Sequence, residues 1–234
     1  MTQAAAPRII LVTDPAFGDD GIEKCVRLVA GALPPGALCV QLRDKARHLV
    51  SLRLFALRLR SVTRASGASL VINGNARLAR DVGADGVHLG EGAGSVAEVR
   101  ATCGRGVWVS VAAHSDDAVR LALASGADAV LVSPVFPTRP PSPNAPWKRA
   151  RGTGALRSAR TIAGNRMAVY ALGGVTAERA LGCVQAGAFG IAVVRALLGS
   201  AKPDRVARAL HDGMAARCYP RQHVELRRVA ENHD

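Results

Sequence analysis

Three times this chain ends a helical stretch, turns on a Gly-Ala step and runs straight into an apolar strand. The three units are Gly83-Ala84-Asp85-Gly86-Val87-His88-Leu89, Gly126-Ala127-Asp128-Ala129-Val130-Leu131-Val132 and Gly187-Ala188-Phe189-Gly190-Ile191-Ala192-Val193. Glycine suits the left-handed residue that stops a helix, because it has no Cβ to resist positive φ. One helix-to-strand unit recurring at separate places points to a fold assembled from equivalent β/α units. Eight short apolar runs read as strands: Arg8–Thr13, Ala37–Leu42, Ser69–Asn73, Gly86–Leu89, Val107–Val111, Ala129–Ser133, Met167–Leu172 and Phe189–Val194. Between them, Leu49–Ala65, Asp116–Ala124 and Ala177–Gln185 carry apolar residues at helical spacing. Such alternation predicts a parallel sheet, and 234 residues are close to the usual size of one (β/α)8 TIM barrel. An open doubly wound sheet is the competitor, but Asp14-Pro15 follows the first strand where its GxGxxG turn would lie. The expected organisation is one barrel over 1–216 and a C-terminal tail over 217–234.

The apolar content, 49%, consists mainly of Ala, Val and Leu, which suit buried parallel strands under closely packed helices. No apolar run nears the roughly 18 residues of a membrane span. The N-terminal stretch has no basic region followed by an apolar core, so the expected location is the cytoplasm and no membrane partner is expected. Five scattered cysteines without a CxxC pair read as free thiols. The net charge of +13 raises nucleic acid, a membrane surface or an anionic substrate as partners. Its arginines are dispersed, however, with Arg53, Arg58, Arg60 and Arg64 along one helix and no aromatics interleaved for base stacking. A solvated basic surface is the better reading, and nucleic-acid binding is the weakest.

In a barrel, chemistry sits at strand C-terminal ends. There the sequence offers Gln41, Arg43 and Lys45 after strand two, Asn73 after strand three, His88 and Glu91 after strand four, and Ser110 and His114 around strand five. Thr138 follows strand six, Gly173 and Gly174 strand seven, and Val194 and Arg195 end strand eight. A Gly-Gly pair before a helix lets backbone N–H groups approach an anion, although a tight turn alone would also require it. Strand alternation turns Gln41 and Arg43 inward if Leu42 packs outward. Arg43 then offers a fork to phosphate, the alternative being a surface salt bridge to Asp44. His88 in its apolar run reads as a core histidine. His114, followed by Ser115 and Asp116, reads as a helix cap as readily as an acid–base group. The proline-rich stretch from Pro134 to Gly152 reads as a loop on the same face.

Four segments in register, VQLRDK, LVINGNARLARDVGADGVHLG, SPVFPT and YALGGVTAERALGCVQAGAFGIAVV, resemble the thiamine phosphate synthase/TenI family over about residues 8–198. The resemblance implies a β/α barrel with thiazole phosphate at its mouth. Synthases of this family join it to a pyrimidine methyl pyrophosphate: pyrophosphate leaves, a pyrimidine cation forms and the thiazole nitrogen attacks. The tautomerases move a proton on a thiazole carboxylate phosphate. By resemblance, Gln41, Arg43, Lys45 and Asn73 hold the pyrimidine and its pyrophosphate, Ser110 and Thr138 line the substrates, and Gly173 and Gly174 form the thiazole phosphate loop with Val194 beside it.

The chain departs from the synthase pattern where Mg²⁺ would bind. Asn73-Gly74-Asn75 replaces Asn-Asp-Arg, and Glu91-Gly92-Ala93 follows His88-Leu89-Gly90 without the usual second aspartate, leaving Glu91 to serve only in a shifted Mg²⁺ site. Arg195 replaces a phosphate-binding serine, and Pro134 stands where the tautomerases carry their histidine. His114 or Glu91 would then be the substitute base. On these departures a tautomerase-type thiamine-pathway enzyme is slightly preferred. The alternatives are a true synthase, with Mg²⁺ as its cofactor, and a non-catalytic binder of thiazole phosphate or thiamine phosphate; a homodimer stays open.

Overall fold

In the computed structural model, described over residues 6–90, 93–138 and 149–215, the apolar runs form eight strands. These are Ile9–Val12 (β1), Leu38–Leu42 (β2), Ser69–Asn73 (β3), Gly86–Leu89 (β4), Trp108–Ala113 (β5), Ala129–Val132 (β6), Ala168–Leu172 (β7) and Gly190–Val193 (β8). Each pairs in parallel with the next, and β8 pairs with β1, so the sheet closes into a (β/α)8 barrel. The helices are Asp19–Gly31 (α1), Leu49–Ala65 (α2), Ala76–Asp81 (α3), Val96–Cys103 (α4), Asp116–Ala124 (α5), Gly154–Ala163 (α6), Ala177–Gln185 (α7), the single turn Arg195–Leu198 (α8) and Pro203–Ala215 (α9). The tail expected over 217–234 and Cys218 lie outside the described residues; Cys25, Cys39, Cys103 and Cys183 are free thiols.

The strand pattern explains the closure. Ile9, Leu11, Val40, Leu42, Leu70 and Ile72 point outward and merge with the helix faces in one apolar layer. Ile10, Val12, Cys39, Val71, Leu131, Tyr170 and Ala192 point inward and fill the barrel. With both faces covered, the strands need continuous apolar runs rather than alternation. Three of the few aromatics gather at the N-terminal end of the interior. Tyr170 meets Trp108 and Phe189 edge-on at 6.4 and 5.7 Å, and its hydroxyl donates to the Pro7 carbonyl at 2.7 Å. This plug closes the bottom and leaves the strand C-terminal ends as the open mouth.

Gly83, Gly126 and Gly187 have φ of +62°, +77° and +98°, the left-handed stop that the repeated units require. In the first two units the aspartate two residues later has its own task, while the third has Phe189 there. Asp85 accepts from the Leu70 N–H at 2.7 Å and pairs with Arg60. Asp128 accepts from the Val109 N–H at 2.7 Å and pairs with Arg100. In these two units the motif thus ties the strand start to its neighbour and to a preceding helix. Arg47–Asp19 and Arg58–Asp20 are further ion pairs between units. Part of the arginine excess is therefore committed to fastening the barrel. No helix among the described residues is long and apolar enough to cross a membrane.

Candidate active site at the barrel mouth

The mouth has two walls. On the β2–β5 side, Leu42 packs outward in the helix-facing layer, which turns Gln41 and Arg43 inward. Gln41 is 3% exposed, and its amide Nε2 donates to Asn73 Oδ1 at 3.3 Å. That bond uses one donor and one acceptor of the two amides, and each amide group carries more of both. Arg43 is held by its main chain. Its N–H donates to Thr13 Oγ1 at 2.8 Å, and the same hydroxyl donates to the Arg43 carbonyl at 3.2 Å. The residue is half-buried, and its guanidinium meets no carboxylate of the described residues. The expected alternative, a salt bridge to Asp44, does not form. Asp44 instead accepts from Ala46 and Arg47 backbone N–H groups and from Arg47 Nε at 2.8 Å, while Arg47 also pairs with Asp19. This turn presents the exposed Lys45 next to Arg43.

Deeper on the same wall, His88 Nδ1 lies 2.9 Å from Ser110 Oγ. Burial, with a smaller contribution from the Arg43 charge, lowers the His88 pKa to about 4, so the ring is neutral at pH 7. His88 is thus the satisfied core histidine that its apolar run suggested. Ser110, 1% exposed, sits with it below the mouth rather than on its rim. His114 ends elsewhere: its Nδ1 is 2.7 Å from the Ser133 carbonyl, and it lines a cavity between α5 and α6. Capping of α5 falls to Ser115, whose hydroxyl accepts from the Ala118 N–H.

The β6–β8 wall is made of main chain. Gly173 and Gly174 have φ of +96° and +63°. A Cβ on Gly173 would come within 2.8 Å of Pro134 Cα, and one on Gly174 within 2.7 Å of the Pro137 carbonyl. Both the turn and the close approach therefore require glycine. A ladder holds these segments together. Val135 N–H donates to the Leu172 carbonyl and Phe136 N–H to Gly173, while Arg151 and Gly152 N–H groups donate to Pro134 and Val135 carbonyls. Arg179 of α7 donates to the Gly174 carbonyl at 2.7 Å and stacks over Phe136 at 4.7 Å. At the top of β8, Val194 starts the one-turn α8, and Arg195 Nη2 donates to Thr138 Oγ1 at 3.1 Å within this wall. Loops after strands seven and eight with a short extra helix are the usual phosphate-binding device of this barrel type.

Thr13 and Arg179 escaped the sequence reading. Thr13 had a signal, a polar residue at the end of an apolar strand, whereas Arg179 is one of many helical arginines. Among the described residues no cluster of His, Cys, Asp or Glu could hold a metal ion. Gly74 supplies no ligand, and Asn75 Oδ1 caps α3 by accepting from the Leu78 N–H. The described mouth therefore does not fit a Mg²⁺ site, and Glu91, the one carboxylate expected there, lies outside the described residues.

Residues 9–197 match the family described as thiamine monophosphate synthase. The chain belongs to this family. Among thiamine monophosphate synthase relatives, the putative thiamine-phosphate synthase of Geobacter sulfurreducens is 37% identical over 185 residues, covering 78% of this chain and 84% of the relative. The thiamine-phosphate synthase of Methanoculleus marisnigri is 34% identical over 208 residues, covering 89% and 95%. In fold, the thiamine phosphate pyrophosphorylase of Pyrococcus furiosus superposes with a TM-score of 0.76 at 22% identity, over 89% of this chain and 96% of that one.

Proposed function

We propose that this chain joins a pyrimidine methyl pyrophosphate to a thiazole phosphate, as a thiamine-phosphate synthase. The observation that carries the reading is the guanidinium of the half-buried Arg43, without a carboxylate partner among the described residues, beside the Gln41–Asn73 amide pair. A cation kept unneutralised at a barrel mouth suits a reaction in which negative charge develops on a leaving group. The methylene C–O bond breaks and pyrophosphate departs with the electron pair. The thiazole nitrogen lone pair then forms the new C–N bond to the pyrimidine methylene.

In this reading Arg43 and Lys45 hold the pyrophosphate, each charge-assisted hydrogen bond contributing about 1.5–3 kcal/mol. Gln41 and Asn73 orient the pyrimidine ring, and Thr13 sets the direction of Arg43. Gly173, Gly174 and the start of α8 hold the thiazole phosphate, with the Arg195–Thr138 pair on the same side. No step is assigned to Mg²⁺, because the described residues do not fit it. The names of the relatives lend the same support. They turn the preference away from the tautomerase suggested by the missing aspartates.

A second reading, proton transfer on a thiazole carboxylate phosphate, draws on His114. A hydrogen bond from Nδ1–H to the Ser133 carbonyl would leave Nε2 as the basic nitrogen. Incubation with both synthase substrates, and separately with the thiazole tautomer, separates the readings by product. Thiamine phosphate is the expected product. Tautomer conversion alone would support the second reading, and tight thiazole phosphate binding without turnover would mark a non-catalytic binder.

A further inference from the structure

A cavity of about 800 Å³ opens beside the mouth, between the N-terminal turns of α5 and α6, and apart from His114 in the second reading none of its lining side chains has a role above. Arg149 and Arg151 line it. Arg149 meets no carboxylate of the described residues. Arg151 pairs with Asp116 through Nη2 at 3.3 Å, but its Nη1 is buried with no hydrogen-bond partner. A buried guanidinium nitrogen left without an acceptor incurs the desolvation cost of that donor, which a small side-chain shift towards an anion in the cavity would relieve. Asp116 does not fill that role. It is already bound by Ser158, whose hydroxyl donates to Oδ2, and by Arg151 Nη2, and these partners hold its pKa below the usual carboxylate range.

The floor of the cavity adds donors. Gly154 and Ala155, the first residues of α6, line it, and Thr153 at the cap position makes no side-chain hydrogen bond to the helix. The first N–H groups of an α-helix have no partner within the helix and carry the positive end of its dipole. Two guanidinium groups on alternate residues, one with an orphaned donor, and an uncapped helix start thus surround one solvent-connected space. We propose that this cavity, on the rim of the mouth and distinct from the Arg43 position, is a second oxyanion site that takes free phosphate or pyrophosphate. Arginine forks recognise such groups by paired, charge-assisted hydrogen bonds.

The test is calorimetric titration of the full chain with inorganic pyrophosphate, on wild type, Arg43→Gln, Arg149→Gln and Arg149→Gln/Arg151→Gln. The expected result is two bound equivalents in wild type, one weakened at least fivefold by Arg149→Gln and the other by Arg43→Gln. One equivalent that responds to Arg149→Gln and not to Arg43→Gln would still support the rim site, while counting against the anion-binding role of the mouth. A single equivalent lost in Arg43→Gln and unmoved by Arg149→Gln would overturn the proposal, as would one equivalent lost equally in both, or no binding at all. Arg151→Gln removes an ion pair to Asp116, so Arg149→Gln, which removes none, is the variant that keeps the test independent of folding.

Discussion

On the β2–β4 side of the mouth, the groups aimed at a ligand are side chains: the Gln41–Asn73 amides, Arg43 steadied by Thr13, and Lys45 on a turn fastened through Asp44 and Arg47. On the β6–β8 side they are main chain: two glycines at positive φ, pressed against Pro134–Pro137 and locked by Arg179. The first wall can be retuned one side chain at a time, because its backbone does not depend on the groups it displays. The second relies chiefly on its main chain, and any Cβ at Gly173 or Gly174 displaces the neighbouring loop. Substitutions should therefore separate the walls by ligand and by severity.

Gly174→Ala is the harshest probe. It places a Cβ 2.7 Å from the Pro137 carbonyl at φ +63°, at a combined cost of about 2–5 kcal/mol from the left-handed backbone and the overpacked contact. Thiazole phosphate affinity should fall about 100-fold or more, with pyrimidine pyrophosphate affinity little changed, as read by separate titrations. Equal losses for both ligands would mean that the walls are one unit.

Next comes acid. The folded-state pKa of His88 is lowered to about 4, so between its ordinary value near 6.5 and that point the unfolded chain binds the proton more readily. Stability contributed by the neutral ring is intact above pH 6.5 and is lost as pH falls towards 4, by about 3 kcal/mol in all. Urea midpoints measured at pH 7 and pH 4.5 should show the drop, and His88→Gln should flatten it.

Arg43→Gln should weaken pyrimidine pyrophosphate binding about 10- to 100-fold, the loss of one or two charge-assisted hydrogen bonds. Its melting temperature should stay at the wild-type value, because no carboxylate of the described residues depends on Arg43. Thr13→Val removes the hydroxyl that both accepts from and donates to the Arg43 backbone. The same ligand should lose about fivefold to tenfold, from a net hydrogen-bond contribution of about 1 kcal/mol. Thiazole phosphate affinity should not move in either variant.

The same contrast explains what could be read in advance. The strands were legible to within two residues because burial on both faces writes itself as apolar runs, and the three expected helices Leu49–Ala65, Asp116–Ala124 and Ala177–Gln185 coincide with observed ones. The Gly173-Gly174 turn was legible because only glycine tolerates that backbone. Tertiary partnerships were not. Asp44 chose Arg47 over Arg43, Ser115 rather than His114 capped α5, and Ser110 sank beneath the mouth to pair with His88. Each of these depends on which neighbour lies closer in space, which residue type and spacing along the chain do not encode.

The synthase reading meets its most direct test in a single-turnover experiment, with enzyme in excess over pyrimidine methyl pyrophosphate and with thiazole phosphate saturating. The account predicts one equivalent of thiamine phosphate and one of pyrophosphate, formed together and slowed in Arg43→Gln. Recovery of both substrates unchanged, from protein that binds them, would contradict it.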